Sequence, residues 1–322
     1  MAQKDPAQLI NKLVAFVIHI RRLNMKAEFN PSNIIAMDET PVWADMVSST
    51  TVNKTGQKDV MLKTTGHEKV RVTVCLAAKA DGIKLKPYIV FSGAKRESAA
   101  LNEEFKAKCI VASSGNGWMN EELTLQWCKQ VVGSFSFGKR LLVWDTFEAH
   151  MTDEVKVSLK KMKVESALIP GGCTKYIQAP DVYWNKPFKG FISDMYDEWL
   201  ANGVHQYTVG GNMKQAPRRT VVEWILRAWE MIKKDLIIDS FKGCALNLKN
   251  DGSEDNKIHC FKSTQPCSAG ASVLEDQTKV VNNTDANEMN PFEPTDSDVE
   301  EANDPGNLLD EDEEEDDFLT VV

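Results

Sequence analysis

Two strand-like apolar stretches, each leading into an aspartate, constrain the fold of this chain most. The stretch "NIIAMDETPV" at 33–42 runs into Asp38, and "RLLVWDTFEAH" at 140–150 runs into Asp145. Burying a carboxylate at the end of a core strand is costly unless a positive group meets it. If both stretches are neighbouring central strands, their carboxylates face the same edge of one sheet, which is where open α/β sheets bind ligands.

A third acid, Asp181, follows the loop "IPGGCTKYIQAP" and is predicted to open a long helix over about 181–202. Three aspartates that converge in a partly dry cleft cannot all stay ionised without a cation, because like charges raise one another's pKa. Hard oxygen ligands suit Mg²⁺ or Mn²⁺, and two such ions about 3.5–4 Å apart can promote phosphodiester chemistry. The residue types leave an alternative open, since an aspartate in the first turn of a helix is ordinarily a cap.

The order of the predicted elements indicates a mixed sheet covered by helices. An amphipathic helix over 6–23 precedes antiparallel strands, among them "IIAM", "ADMVSSTTV" and the hairpin "VRVTVCLAAKADGIKLKPYIVFSG". After Gly117 helices and strands alternate: a helix capped by Asn120, the strand before Asp145, a helix over 152–163, the strand "ESALIP", the helix from Asp181 and a last helix over 217–235. This α/β order resembles a ribonuclease H-like core.

The net charge of −9 averages two unlike regions. Residues 251–322 hold most of the acidic excess and end in "LLDEDEEEDDFLTVV", whereas residues 1–250 carry more Lys and Arg than Asp and Glu. Such an acidic segment cannot bury enough apolar surface to offset its ordering entropy. The net positive charge of residues 1–250 favours a polyanionic partner, although a solvated lysine-rich surface would give the same composition.

The chain is therefore divided into an N-terminal amphipathic helix (1–30), a folded domain (31–250) and an acidic disordered tail (251–322). Seven scattered cysteines without a CxxC pair favour free thiols in a reducing compartment over disulfides or a zinc site. The stretch "LVAFVIHI" is too short to cross a bilayer, so neither a membrane anchor nor a signal peptide is expected.

Four long motifs resemble the catalytic domain of pogo and Tigger-type DDE transposases, of the Tc1/mariner superfamily, and of host genes derived from them. They are "MDETPVWADM", "KTTGHEKVRVTVCLAAKADGIKLKPYIVFSG", "LLVWDTFEAH" and "IPGGCTKYIQAPDVYWNKPFKGFI". The resemblance covers about residues 7–235 and gives the segment 31–250 the character of a DDE endonuclease domain. It implies a ribonuclease H-like fold and cleavage and joining of DNA strands with two divalent metal ions, Mg²⁺ or Mn²⁺.

The resemblance also assigns the three acids. Asp38 matches the first family aspartate, Asp145 the second and Asp181 the third, so these residues are the expected catalytic and metal-binding groups. The family motifs differ at two positions: Glu148 stands where the family commonly has a basic residue, and Pro180 directly precedes the third acid. Glu148 is expected to weaken the approach of DNA, and Pro180 to displace Asp181, because proline restricts the residue before it and offers no N–H.

Basic residues around this site are candidate DNA contacts. Lys186 and Lys189 rank first because they follow Asp181 on its helix, and Lys95 and Arg96 come next. The further candidates are Lys84, Lys86, Arg218 and Arg219. Glu39 is expected to point to the opposite face of its strand and not to bind metal. His150 is expected to hydrogen-bond within its loop, with orientation of the scissile phosphate as the alternative.

Two functions from different classes remain open. The first is a transposase-derived endonuclease acting on DNA in the nucleus. The second is a domesticated, non-catalytic DNA- or chromatin-binding protein, which the lack of the family's helix-turn-helix domains before Asp38 favours. The acidic tail is expected to bind basic proteins, with competition against DNA as the alternative. Assembly into a homo-oligomer is left open.

Overall fold

A six-stranded mixed sheet lies at the centre of the computed structural model, which describes residues 6–45, 65–67, 70–93, 95–133 and 138–281. The strands follow the order β4–β3–β2–β1–β5–β6. The first three strands are antiparallel, β4 is parallel to β3, and β5 and β6 are parallel to β1. The strands are β1 Ile34–Trp43, β2 Arg71–Lys79, β3 Tyr88–Ser92, β4 Ile110–Ser114, β5 Arg140–Trp144 and β6 Val164–Leu168.

Helices cover both faces of this sheet. They are α1 Pro6–Ala27, α2 Lys95–Phe105, α3 Glu121–Trp127, α4 Asp153–Lys161, α5 Thr174–Ile177, α6 Asn185–Asn202, α7 Arg218–Met231, α8 Lys234–Gly243 and α9 Gly270–Val281. Alternate residues of β1 point to two separate cores. Ile34 and Ala36 join the larger core with α1 and α6–α9, whereas Ile35 and Met37 join the smaller core with α3 and α4.

This architecture confirms the predicted ribonuclease H-like fold: an antiparallel three-stranded unit, two parallel strands beside β1, and helices on both faces. The predicted hairpin forms as β2 and β3. Its turn uses Gly82 at φ +87°, a conformation that favours glycine. The predicted cap also forms, because the Leu123 N–H donates to Asn120 Oδ1 at 2.9 Å. The sequence did not predict α2 and the edge strand β4, and the predicted strand "ADMVSSTTV" falls largely outside the described residues.

The boundary at residue 30 is wrong, because α1 belongs to the main core. Leu13, Phe16, Val17 and Ile20 are fully buried in the same cluster as the sheet residues. An amphipathic helix needs an apolar surface to cover its own apolar face, and the sheet with α9 supplies that surface.

The predicted tail boundary at residue 251 is also too early. Ile258, Phe261 and Leu274 are buried in the main core, and α9 packs against α1. The Arg21 guanidinium, itself buried, forms an ion pair with Asp255 and donates to Thr278 Oγ1 at 3.1 Å. The apolar residues of this segment are few but pack into the main core, whereas the average composition of 251–322 is dominated by the acidic residues. The segment 282–322 lies outside the described residues.

Within the described part of the chain, no helix combines the length and the apolar character that a membrane span requires. All seven cysteines are buried thiols. Burial raises the pKa of several of them, for example that of Cys128 to about 12, so at neutral pH this thiol stays protonated and unreactive.

Candidate active site

Strands β1 and β5 bring the first two acids together. The strands run parallel with Ala36 opposite Val143. Asp38 and Asp145 each lie two residues further on, so they occupy equivalent positions and point to the same face. β5 ends just before Asp145, as predicted, but β1 continues beyond Asp38 to Trp43 beside β2. The sequence predicted that Asp38 lies at the end of a strand. It lies instead within β1, just beyond the last residue that pairs with the parallel strand β5.

The third acid, Asp181, lies in a π-helical segment, Pro180–Trp184, that leads directly into α6. The Asn185 N–H donates to the carbonyl of Pro180, one residue further back than in an α-helix. Ala179 keeps helical angles (φ −57°, ψ −42°) although a proline follows it. Asp181 nevertheless lies beside Asp38 of β1, because the Asn185 amide bonds both acids. The displacement of Asp181 from metal geometry by Pro180 stays a prediction.

One side-chain amide joins the first and third acids. Asn185 Nδ2 donates to Asp38 Oδ2 and to Asp181 Oδ1, each at 2.8 Å. Asp38 and Asn185 are both buried, with 8% and 6% of their surface exposed. The other amide atom, Asn185 Oδ1, is buried without a hydrogen-bond partner. The bridge thus fixes two carboxylates and leaves one unpaired oxygen beside them.

The carboxylates of the three aspartates and of Glu39 repel one another. Burial raises the pKa of Asp38 well above its ordinary value, and the charges of Asp181, Asp145 and Glu39 raise it further. Burial also raises the pKa of Asp181, although its hydrogen bonds and the nearby Lys189 offset part of the effect. A divalent cation would relieve this repulsion, because its charge favours the ionised form of each carboxyl group.

A buried histidine holds the second acid in place. The side chain of His150 is fully buried, with Nδ1 2.8 Å from Asp145 Oδ1 and Nε2 3.0 Å from Glu39 Oε1. Its ring stacks on Trp144 at a centroid distance of 4.1 Å. Glu39 follows Asp38 on β1, lines the same cleft, and reaches His150 beyond the end of β5. His150 therefore positions the Asp145 carboxylate.

The ligand atoms of Glu39, Asp145 and His150 also lie close enough, within 4.8 Å of one another, to hold a metal ion. Burial alone would lower the pKa of His150, but Glu39 and Asp145 outweigh burial and raise it to about 10. Both ring nitrogens face carboxylates, so the protonated ring forms an ion-paired bridge between Asp145 and Glu39 at neutral pH.

Asp38, Asp145 and Asp181 line one open cleft. Several further side chains of this cleft carry no sequence prediction, among them Arg71, Trp118 and Gln178. Arg71, at the start of β2, places its guanidinium carbon 3.2 Å from the ring centroid of Trp118. Gln178 is 1% exposed, and neither atom of its amide has a hydrogen-bond partner. The cleft thus combines carboxylates with a cation and an unpaired amide.

The four predicted DNA contacts do not line the cleft. Lys186 and, at the start of α2, Lys95 and Arg96 are exposed, whereas the half-buried Lys189 lies near enough to Asp181 to lower its pKa. All four further candidates have structural partners. Lys84 Nζ donates to three carbonyls at the end of α7, and Lys86 donates to the carbonyl of Lys106. Arg218 donates to the carbonyl of Ser92, and Arg219 pairs with Glu104 and Glu223. Glu148 is exposed and lies outside the cleft lining.

Sequence reasoning missed four residues of the site: Arg71, Trp118, Gln178 and Asn185. A signal for Asn185 was present, because it follows Asp181 by four positions and such residues share one face of a helix. Arg71 and Trp118 lie far apart in the sequence, and no spacing rule relates them to the acids.

Comparison with known proteins identifies the family. Residues 68–241 match the family model of the DDE superfamily endonucleases. The chain is 31% identical over 268 residues to "Pogo transposable element with KRAB domain" of Homo sapiens, covering 82% of this chain and 43% of that protein. The mouse protein of the same name is 32% identical over 250 residues, covering 76% and 40%. The chain thus spans less than half the length of these relatives.

Among solved structures, the Mos1 strand transfer complex aligns with a TM-score of 0.46 and 9% identity, covering 83% of this chain and 62% of that chain. A Mos1 mariner paired end complex with Mn aligns with a TM-score of 0.42 and 8% identity, covering 80% and 64%. The family match spans the second and third acids and most of the sheet. This chain belongs to the DDE superfamily endonucleases and contains a pogo-type transposase domain.

Proposed function

We propose that this chain is an endonuclease core that cleaves and joins phosphodiester bonds in DNA with two Mg²⁺ or Mn²⁺ ions held by Asp38, Asp145 and Asp181. The observation that carries the proposal is the Asn185 amide. It joins the carboxylates of Asp38 and Asp181, from distant parts of the chain, in the cleft that Asp145 also lines. Such a concentration of buried acid is costly to the fold unless a cation is bound.

The donor set fits hard divalent cations. Three carboxylates and the unpartnered Asn185 carbonyl oxygen supply oxygen ligands, which Mg²⁺ and Mn²⁺ prefer. When bound, two such ions activate the attacking oxygen and stabilise the leaving one. The protein's own part is positional: Asn185 fixes two acids, and His150 with Trp144 behind it fixes Asp145. Preorganised groups of this kind do not have to rearrange during the reaction.

A nicking assay with the purified chain tests the proposal. The wild-type protein should nick supercoiled duplex DNA when Mg²⁺ or Mn²⁺ is present and not when both are chelated. Asp145→Asn should lower the rate at least about 10³-fold, because it removes a charged ligand at the centre of the site. The matched control is Asp153→Asn, an exposed acid in the first turn of α4, which should keep the wild-type rate.

Equal nicking by wild type and Asp145→Asn would contradict the proposal. Binding of DNA by a wild-type chain that never nicks would instead support the non-catalytic alternative. We also propose that the protein acts on genomic DNA in the nucleus, which its similarity to pogo transposable elements supports. A fluorescent fusion that remains outside the nucleus would contradict that location.

We further propose that the acidic tail binds basic proteins and does not compete with DNA for the folded core. Removing residues 282–322, which begins beyond α9, should leave the affinity for nonspecific DNA and its salt dependence unchanged. A tail that occupied the DNA surface would mask phosphate contacts, so its removal would raise the affinity and steepen the salt dependence. That second result would show self-inhibition.

A further inference from the structure

Arg71 is a cation of the catalytic cleft that lacks a carboxylate partner within the described residues. It begins β2, pairs with Trp43 of β1 in the sheet, and lines the cleft together with the three aspartates. Its guanidinium lies over the Trp118 ring, with Cζ 3.2 Å from the ring centroid. None of the ion pairs between described residues includes Arg71, although half-buried arginines elsewhere, such as Arg218, have one.

The position of Trp118 is built into the fold. Its N–H donates to Asn116 Oδ1 at 3.1 Å, and its carbonyl accepts from Ser114 Oγ at 2.8 Å. The preceding Gly117 adopts φ +80°, and its carbonyl accepts from Thr73 Oγ1 of β2 at 2.7 Å. These contacts tie the loop after β4 to β2 and hold the main chain of Trp118 beside Arg71. Arg71 and Trp118 therefore form a preorganised pair.

The pair leaves the guanidinium unsatisfied. Burial lowers the pKa of Arg71 to about 10, so the group remains charged at neutral pH. The indole ring contacts the guanidinium through its π electrons, and no described residue accepts a hydrogen bond from the guanidinium N–H groups. A partly desolvated cation with free donors favours an anionic ligand, and the planar N–H fork matches the paired oxygens of a phosphate.

We infer that Arg71 is a phosphate-binding residue of the cleft that takes a phosphodiester of the DNA strand, and that Trp118 is the positioning residue that keeps its guanidinium in place. The inference rests on the proposed function, because it names a substrate contact for the same site. Its reason is electrostatic. Three aspartates repel a polyanion, and a fixed cation in the same cleft offsets part of that repulsion where the strand must approach.

The experiment measures the affinity of the full chain for a fluorescently labelled DNA duplex over a range of salt concentrations. Arg71→Ala should weaken binding about 10-fold and lower the slope of log affinity against log salt by about one phosphate contact. Arg71→Lys keeps the charge but not the fork and should restore the slope with only part of the affinity. Trp118→Leu should weaken binding with little change of slope, whereas Trp118→Phe keeps an aromatic face and should restore most of the affinity.

The matched control is Arg227→Ala, which removes an exposed arginine of α7 that does not line the cleft. If Arg71→Ala has the affinity and slope of Arg227→Ala, the inference is overturned, while nicking by the wild type leaves the proposed function intact. If Arg71→Ala does not fold, Arg71→Lys and Trp118→Phe decide: affinities equal to wild type for both would overturn the inference. A wild-type chain that binds no DNA overturns both proposals.

Discussion

Asp38→Asn should abolish metal-dependent cleavage and at the same time stabilise the metal-free protein. The asparagine keeps the shape of the side chain and still offers an oxygen to the Asn185 amide. The substitution removes the Asp38 carboxylate. Burial and three neighbouring acids raise the pKa of this group well above its ordinary value. Cleavage should fall at least about 10³-fold, and the free energy of unfolding without metal should rise by about 1–2 kcal/mol.

The pH dependence of this effect has a definite sign. A carboxyl group whose pKa is raised in the folded state opposes folding once it ionises, so the metal-free wild type should lose stability as pH rises above the ordinary pKa of aspartate. Asp38→Asn should lose less over the same range. Urea unfolding in chelator between pH 4 and 8 measures the difference, and added Mn²⁺ should then stabilise the wild type but not the variant.

Asn185→Leu gives a matched contrast. It removes the bridge but leaves both carboxylates, so the metal-free protein should lose stability, where Asp38→Asn gains it. If Asp38→Asn is instead less stable than the wild type at neutral pH without metal, the carboxylate has an unrecognised favourable partner. The description of the site as three mutually repelling acids would then be wrong.

His150→Leu should produce the largest loss of stability. The imidazole bridges Glu39 and Asp145 from a fully buried position, so its removal leaves two carboxylates unpaired near the core. Removing one partner of a buried ion pair typically lowers the free energy of unfolding by about 3–5 kcal/mol. Both acids are partly exposed, so we expect a loss at the lower end of this range. Denaturant unfolding at pH 7 measures the loss, and nicking should fall as well because Asp145 loses its orientation.

The sign of the pH effect follows from the raised pKa of His150, which is about 10 in the folded protein. The stability that protonation contributes is complete below the unfolded pKa near 6.5, and it disappears as pH rises through about 10. The wild type should therefore lose stability between pH 7 and 10, whereas His150→Leu should not. The control is His205→Leu, a half-buried histidine far along the chain, which rests against Trp199 without a described acid partner. A wild-type stability that is flat over that pH range would mean that His150 is neutral.

Much of the fold was predictable because its signals are local. The alternation of apolar residues, the Ala-Asp-Gly turn and the Asn120 cap each act over a few neighbouring positions, and the structure contains the predicted hairpin and capped helix. The failures have local causes too. Strand β1 looked shorter than it is because its apolar run stops at Asp38, although β2 continues to pair with it as far as Trp43. The segment after residue 250 looked disordered because its few core residues were averaged with the acidic tail.

For the candidate site, the sequence identified the acids but not the residues that contact them. The sequence identified Asp38, Asp145 and Asp181 by their motifs, and all three line one cleft. It did not identify Asn185 as the bridge or Arg71 as the cation of the cleft. It also treated His150 as a loop residue, whereas the ring joins Asp145 to a glutamate 111 positions away.

The sequence by itself determined most of the central strands and several helices, and which acids follow them, because backbone preference and hydrophobic periodicity are properties of short stretches. Only the tertiary structure decided which side chains meet. Those contacts depend on the register of β1 against β5, on the early end of β5, and on the widened turn that aims Asp181 at β1. Each of these is set by packing between residues far apart in the chain, and a one-residue change of register would send every side chain of the strand to the opposite face.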